Sequence, residues 1–361
     1  MRSAVRFRLP PELEATAPPE ARGLRRDHVR LLVVDRADGS VAHHRFHELP
    51  RLLEPGDLLV VNDSRTLPAS LLGHTAAGVP VEVRLAAREA ERWAALVLGV
   101  PAGGTDPALV PTDQRPAAPA LAAGARLEFA GGLEATVLGR HEEARPLVWL
   151  AFDAAGERLA ELLHRAGRPV RYAYVPRAWP LHHYQTLFAA GPGSAEMASA
   201  GRPFTVQTLA DLRRRGVGLA TISLHAGLST YGDPATDRRF VPAEPYLVPE
   251  ATAAAVAATR AAGGRVIAVG TTVVRTLETA ATATTLRAGP GVSRLRITPR
   301  FPLRVVDGLL TGLHEPEASH LDLLGAFLDP PALERAYAAA LAAGYLWHEF
   351  GDVCLLLPHR S

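Results

Sequence analysis

"VIAVGTTVVRTLE", residues 266–278, is the stretch on which the fold turns. Val266–Val269 is a short, largely β-branched apolar run, long enough for a buried strand. Gly270 permits a tight turn, and Val273, Leu277 and Ala280–Ala281 then share one face at helical spacing. A helix start leaves backbone N–H groups unpaired, and the macrodipole makes that end favourable for anions. Thr271 and Thr272 add hydroxyl donors there. The turn is therefore expected either to hold a phosphate, a carboxylate or a ribose hydroxyl, or to be a capped strand–helix turn that holds nothing. It is not a dinucleotide fingerprint, because the second and third glycines are missing.

Composition bounds the rest. At roughly 150 residues per domain, 361 residues suggest two domains. A hydrophobic content of 48% with 21% charged residues fits a globular protein with a substantial core. No apolar run reaches the roughly 18 residues a membrane helix needs, and the N-terminal stretch has no signal-peptide pattern, so a cytoplasmic location without a membrane partner is expected. The single cysteine, Cys354, excludes an intrachain disulfide framework and any multi-cysteine metal site. All 39 basic Lys+Arg positions are arginine, which removes Schiff-base and P-loop lysine chemistry. The net charge of +2 offers no general polycation, but "RGLRRDHVR" (22–30) and "DLRRRG" (211–216) are local basic clusters suited to phosphate contacts or to a solvated helix face.

Texture changes along the chain. Residues 24–62 read as strands "RLLVVDR", "VAHHRF" and "LLVVND", with a turn around Ala37–Ser40. Between 63 and 155, short alternating stretches such as "VPVEVRLAA" and "RWAALVLGV" are separated by Gly, Pro and Asp turns and one Pro- and Ala-rich loop (101–124). That spacing belongs to a small antiparallel barrel or sandwich. From 156 onward helical and strand patterns alternate, as in α/β layering with a partly parallel sheet. The expected plan is an α/β mixed-sheet domain built from 1–62 and 156–361, with a β-domain inserted at 63–155.

Sites in such folds are built at strand ends. "VNDSR" (61–65) places Asn62, Asp63 and Arg65 after one strand, and "SLHAGLSTYGD" (223–233) places His225 and Gly227 after another. Gly270, Thr271 and Thr272 end the third, and "VVDGLLTGLHEPEASH" (305–320) carries Asp307, His314, Glu315, Ser319 and His320. Ser229 and Ser319 lack a nucleophile elbow, and His43–His44 and His182–His183 lack metal-ligand spacing, so no metal site is expected.

In order along the chain, "LPPELEATAPPEARGLRRDHVRLLVVDR", "FHELPRLLEPGDLLVVNDSRTLPASLLG", "YQTLFA" (184–189), "FT" (204–205), "LHAGLSTY", "GGRVIAVGTTVVRTLE", "VVDGLLTGLHEPEAS" and "YLWHEFGD" (345–352) resemble the S-adenosylmethionine:tRNA ribosyltransferase-isomerase family of queuosine biosynthesis. The resemblance implies an α/β catalytic domain with an inserted β-barrel. It implies transfer of the ribosyl part of S-adenosylmethionine to 7-aminomethyl-7-deazaguanine in tRNA, forming epoxyqueuosine and releasing adenine and methionine. No cofactor beyond S-adenosylmethionine as substrate is implied. Such chemistry needs a base at the ribose 5′ carbon, assistance to the leaving adenine and an anchor for the methionine carboxylate. Carried onto this chain, His225 or His314 becomes the candidate base. Asp63 and Arg65, with Asn62, become ribose and orienting contacts. Gly270, Thr271, Thr272 and Arg275 become an anion anchor, and Glu244 an acid or a holder of the substrate amine. Tyr184, Gln185, Thr205, Gly227 and Asp307 become further substrate contacts, and Arg26, Arg30, Arg213, Arg214 and Arg215 nucleic-acid contacts.

Departures accompany the matches. Where the family has a segment like "APTAGLHFT", this chain has "EMASAGRPFT" (196–205), with Arg202–Pro203 in place of Leu-His. "HVGAGTF", "MHSE" and "TNFHLPKST" become "HAGLSTY", "VPAE" and "TGLHEPEAS". Two other readings therefore stand beside the family activity: a paralogue using a different, small-molecule acceptor, and an inactive relative that binds a nucleoside or RNA. The oligomeric state is left open.

Overall fold

The computed structural model describes residues 5–283, 285–316 and 318–358. The chain begins its regular structure with β1 (Arg30–Asp35), β2 (Val41–Arg45), the one-turn helix α1 (Leu49–Leu52) and β3 (Leu58–Asn62). Every residue of β3 is buried, as a strand covered on both faces requires. A two-residue strand, β4 (Arg65–Thr66), follows.

The period then changes to two. β5 (Ser70–Thr75), β6 (Pro80–Glu89), β7 (Arg92–Gly99), β8 (Arg126–Phe129), β9 (Leu133–Arg140) and β10 (Leu147–Phe152) pair in the order β5-β6-β7-β10-β9-β8. Antiparallel pairing of β5 with β8 joins the two ends, so the sheet closes into a six-stranded barrel with no free edge. Helix α2 (Gly156–Ala166) follows, and β11 (Gly167–Arg168) adds to β5. Leu159, Leu162 and Leu163 of α2 sink into the barrel's apolar cluster with Leu71, Val83 and Leu127. The residues after 155 were expected in the α/β domain. Packing instead joins α2 to the barrel, and we propose that the inserted unit runs from Leu67 to Val170.

The large sheet is completed by the second half of the chain. In order come β12 (Pro192–Ser194), α3 (Val206–Arg214), β13 (Gly218–Leu224), α4 (Pro234–Arg239), β14 (Glu244–Val248), α5 (Glu250–Ala261) and β15 (Val266–Val269). After these come α6 (Thr271–Ala280), β16 (Gly289–Ser293), β17 (Gly308–Gly312), α7 (Ser319–Leu324), α8 (Pro330–Ala342) and β18 (Val353–Leu357). β12 pairs with β4, and the remaining strands form one mixed sheet in the order β16-β14-β13-β3-β15-β17-β18-β1-β2.

Strand direction fixes where function can sit. β13, β3, β15 and β17 are mutually parallel, so Leu224, Asn62, Val269 and Gly312 end at one edge. β14 and β18 run antiparallel to their neighbours β13 and β17, which brings their first residues, Glu244 and Val353, to the same edge. Asp307 and Arg213–Arg215 precede β17 and β13 and therefore lie at the opposite edge.

Gly73 lies at the barrel's closing seam, where a Cβ would come within 2.3 Å of the Glu128 carbonyl and 2.5 Å of the Phe129 ring. Backbone there cannot yield without parting β5 from β8. Gly73→Ala is predicted to destabilise the protein by about 1–3 kcal/mol. A lower urea midpoint in equilibrium unfolding checks this, and an unchanged midpoint contradicts it.

Candidate active site

A buried amide organises the C-terminal edge. The Asn62 side chain accepts from the N–H groups of Leu224 (3.0 Å) and Ser64 (3.1 Å), and donates to the Leu224 carbonyl (2.9 Å). Its Nδ2 also reaches Thr272 Oγ1 at 3.5 Å. One residue thus ties the ends of β3 and β13 to the start of α6. Next to it, Asp63 accepts from Ser223 Oγ (2.5 Å), while Ser64 Oγ bonds Ser194 Oγ (2.6 Å) and His225 Nδ1 (2.8 Å). Burial lowers the His225 pKa from its ordinary value, with Asp63 opposing.

A cleft of about 1480 Å³ opens between this edge and the barrel. Arg84 and Thr112 line the barrel side, and His314, Glu315, His320 and His348 the sheet side. Tyr172, Tyr174, Glu196 and Ser229 come from loops between them. The His314 ring stacks on His320, with centroids 4.5 Å apart and planes 7° from parallel, and Nε2 of His314 meets Thr311 Oγ1 at 2.9 Å. The other nitrogen of His314, Nδ1, is buried without a partner among the described residues. His348 has φ 43°, a left-handed conformation uncommon outside glycine, and its ring packs edge-on against Tyr172 at 4.7 Å.

Burial sets the ionisation of this cleft, because removing water disfavours the charged form of any unpaired group. His314 is pushed well below the ordinary imidazole range by burial and then by His320 and His348. Burial likewise pushes His320 and His348 down to about 4, helped by Arg275 and by His320 respectively. Three neutral imidazoles result. Burial raises the carboxyls of Glu14 and Glu196, and raises Glu315 with the added repulsion of Glu14 and Glu196. Among the described residues no group of three or more His, Cys, Asp or Glu is arranged to hold a metal ion.

The residues expected from sequence divide clearly. Of the strand-end groups, His314, Glu315, Ser319 and His320 line the cleft. Asn62, Asp63 and His225 lie at the same edge but are engaged in joining its loops. Gly270 has φ 98° and holds the start of α6, yet its turn does not line the cleft. Arg275 is not available to an anion, since it pairs with the buried carboxylate of Glu244. Glu244, expected to serve as an acid or to hold an amine, is occupied by that pair and by the Gly227 N–H (3.2 Å).

Other expected contacts serve the backbone. Gln185 forms two bonds to Thr66, from the Thr66 N–H (3.0 Å) and to its carbonyl (2.8 Å). Thr205 caps α3 and donates to Asp27. Tyr184 is buried against Phe350, and Arg65 is exposed with a long contact to the Ala189 carbonyl. Asp307 accepts from the Val266 N–H (2.8 Å) at the far edge of the sheet.

The arginines expected on nucleic acid are also displaced from the cleft. Arg213–Arg215 lie at the far edge, where Arg214 pairs with Asp211 and Arg215 donates to the Leu53 carbonyl. Arg26 pairs with Glu20, and Arg30 donates to the Ala343 carbonyl beneath the Tyr345 ring. Arg202, which stands where the family has Leu, is buried and joins Glu20 to the His183 carbonyl, over the Phe350 ring. Exposed arginines at the cleft mouth are instead Arg6, Arg238 and Arg296. Tyr172 and Tyr174 carried no periodic signal in the sequence. Glu196 and His348 stood inside quoted motifs without a role.

Comparison with known proteins agrees with this architecture. The family model described as "Queuosine biosynthesis protein" matches residues 2–356. A protein of Gloeobacter violaceus named S-adenosylmethionine:tRNA ribosyltransferase-isomerase is 40% identical over 359 residues, covering 98% of this chain and 94% of that protein. One of the same name from Thermus thermophilus is 38% identical over 365 residues, covering 98% and 99%. The crystal structure of S-adenosylmethionine tRNA ribosyltransferase from Thermotoga maritima superposes with a TM-score of 0.54 at 30% identity, covering 98% of this chain and 100% of that one. Fold, matched span and identity together establish that the chain belongs to the queuosine biosynthesis protein family, a family of enzymes.

Proposed function

We propose that the protein moves the ribosyl part of S-adenosylmethionine onto the aminomethyl group of 7-aminomethyl-7-deazaguanine in tRNA, with release of adenine and methionine. The names of the relatives support the reaction class. The observation that carries the reading is the cleft itself: three neutral imidazoles share one cavity with the carboxyls of Glu14 and Glu315 and the rings of Tyr172 and Tyr174. A sulfonium nucleoside is a cation with a flat base, and acidic, aromatic walls complement both parts. A base for the ribose 5′ carbon must be unprotonated and within reach. His314 meets this better than His225, because it lines the cleft, is held neutral by burial and keeps Nδ1 without a partner among the described residues. The Thr311 hydroxyl on Nε2 fixes its ring orientation.

A second reading, a small amine as acceptor, is favoured by the position of Arg213–Arg215 on the edge away from the cleft. Incubation with S-adenosylmethionine, with and without tRNA bearing the deazaguanine, separates the two. Free adenine only with the modified tRNA supports the proposed activity, and adenine with a small amine but not with tRNA supports the second reading. His314→Ala is predicted to lower adenine release by at least about 100-fold, the usual worth of a general base. Turnover near wild type removes His314 from that role.

A tRNA substrate needs cations beside the cleft, and Arg238 and Arg296 are exposed there. Each phosphate contact contributes roughly 0.7–0.9 to the slope of log affinity against log salt. Arg238→Glu with Arg296→Glu is predicted to raise KM for tRNA about tenfold or more and flatten its salt dependence, leaving KM for S-adenosylmethionine unchanged. Arg213→Glu with Arg214→Glu should alter neither constant. The reverse pattern would place tRNA on the far edge.

The buried imidazoles also set an acid limit. His320 and His348 titrate near 4 in the folded protein against about 6.5 when unfolded, so the unfolded chain binds more protons between those values. Their contribution to stability is complete above about pH 6.5 and is lost as pH falls towards 4. A His320→Gln, His348→Gln variant is predicted to lose less stability than the wild type over that window in urea titrations. Parallel pH curves for the two proteins would contradict this.

A further inference from the structure

Glu196 has no part in the reaction as described so far. It follows β12 on a segment pinned by the Ala195 N–H on the Ala226 carbonyl (2.8 Å), and its carboxylate reaches the cleft. Oε1 accepts from the Ser229 N–H (2.9 Å) and hydroxyl (3.0 Å), and Oε2 accepts from the Tyr172 hydroxyl (3.2 Å). A carboxylate offers about four acceptor positions, so one stays open after these three donors. Among the described residues no arginine or histidine forms an ion pair with it. Arg84, which also lines the cleft, donates from Nε to Glu82 (2.7 Å) and from Nη1 to Thr112 (2.9 Å).

We propose that Glu196 binds the amine of the acceptor as its ammonium ion and takes up the proton that the amine loses before it forms its bond to the ribosyl carbon. The proposal rests on the transfer reaction put forward above and names the group that selects an amine as acceptor.

The step balances with the groups present. An N–H bond of the ammonium breaks, its proton passes to a carboxylate oxygen of Glu196, and the freed nitrogen lone pair is the one that bonds to carbon. An amine is a nucleophile only when that pair is free, and a carboxylate without a cationic partner is the group that gains most by pairing with an ammonium. A second observation points to a ligand in the same cavity: His314 is 7% exposed, lines the cleft and leaves Nδ1 without a partner among the described residues. Glu244, another acid at this edge, is already paired with Arg275. Division of labour follows, with a neutral imidazole for the carbon acid and a carboxylate for the nitrogen.

Burial raises the Glu196 pKa against the opposing hydrogen bonds from Ser229 and Tyr172 and the nearby charge of Arg84. Its other ionisable neighbours are Tyr172, Tyr174, Tyr231, Glu315 and Glu349. The group therefore passes from acid to base closer to neutrality than an ordinary glutamate.

The test measures kcat and KM separately for S-adenosylmethionine and for tRNA bearing the aminomethyl base, between pH 5 and 9, on the full chain. Glu196→Gln should lower kcat/KM for the tRNA about 100-fold, leave KM for S-adenosylmethionine within about twofold, and abolish the acid limb of the profile. Glu196→Asp should restore part of the rate and the acid limb, and Ser229→Ala, which removes one hydrogen bond but no charge, should keep the limb. Wild-type kcat/KM in Glu196→Gln, an unchanged acid limb, or equal losses for both substrates overturns the proposal while the transfer reaction stands. A wild-type protein that releases adenine with no amine acceptor at all overturns both together, and is distinguished because the failure precedes any substitution.

Discussion

Parallel strands that stop at one edge leave backbone groups that water cannot reach, and Asn62 satisfies several of them at once. Its amide bonds the Leu224 N–H and carbonyl and the Ser64 N–H while buried between β3 and β13. A buried donor or acceptor left without a partner costs about 1–3 kcal/mol, so this position fixes the loops after both strands relative to each other. His225 is then held through Ser64, and the segment that carries Glu196 is held through Ser194 and Ala226. The cleft is thus shaped by residues behind it, and they are not the residues that line it.

That separation explains the electrostatics. Arg275 neutralises Glu244, Arg265 neutralises Asp57, and Arg84 with Arg115 neutralises Glu82, so the buried cations are consumed by structure. The imidazoles and carboxyls that face the cavity from the sheet side lack such partners, and desolvation shifts them: the imidazoles are held neutral and the carboxyls of Glu196 and Glu315 are raised. Strain at His348, with φ 43°, marks the same region from the backbone side.

The layered sheet and barrel were legible because they rest on periodic patterns. The apolar runs Leu58–Val61 of β3 and Val266–Val269 of β15 follow from burial on two faces, and β6 alternates in sequence although its Glu82 and Arg84 are buried as well, where they pair. The end of the barrel unit was less legible, since α2 is amphipathic wherever it packs and only the contacts of Leu159, Leu162 and Leu163 show which core it joins. At the site, sequence drew attention to one edge and to His314, Glu315, Ser319 and His320 in the cleft, but gave no role to Tyr172, Tyr174, Glu196 or His348. Polar residues at strand ends satisfy nearby backbone first, as Asn62, Gln185 and Thr205 do, and no local pattern distinguishes them from His314. Tyr172 and Ser229 meet across 57 positions of chain, and Tyr174 meets His348 across 174, so their convergence is a property of the fold alone.

The central claim is that this one cavity, and not the Gly270–Thr272 turn, receives the sulfonium nucleoside. A crystal structure of the protein soaked with S-adenosylmethionine addresses it directly. The account predicts nucleoside density between the His314–His320 stack and the Tyr172 and Tyr174 rings, with the sulfonium facing the carboxyl oxygens of Glu14 or Glu315. Density over the Gly270 turn, or in the second cavity beside Trp179 and Arg168, with the cleft left to solvent, would contradict it.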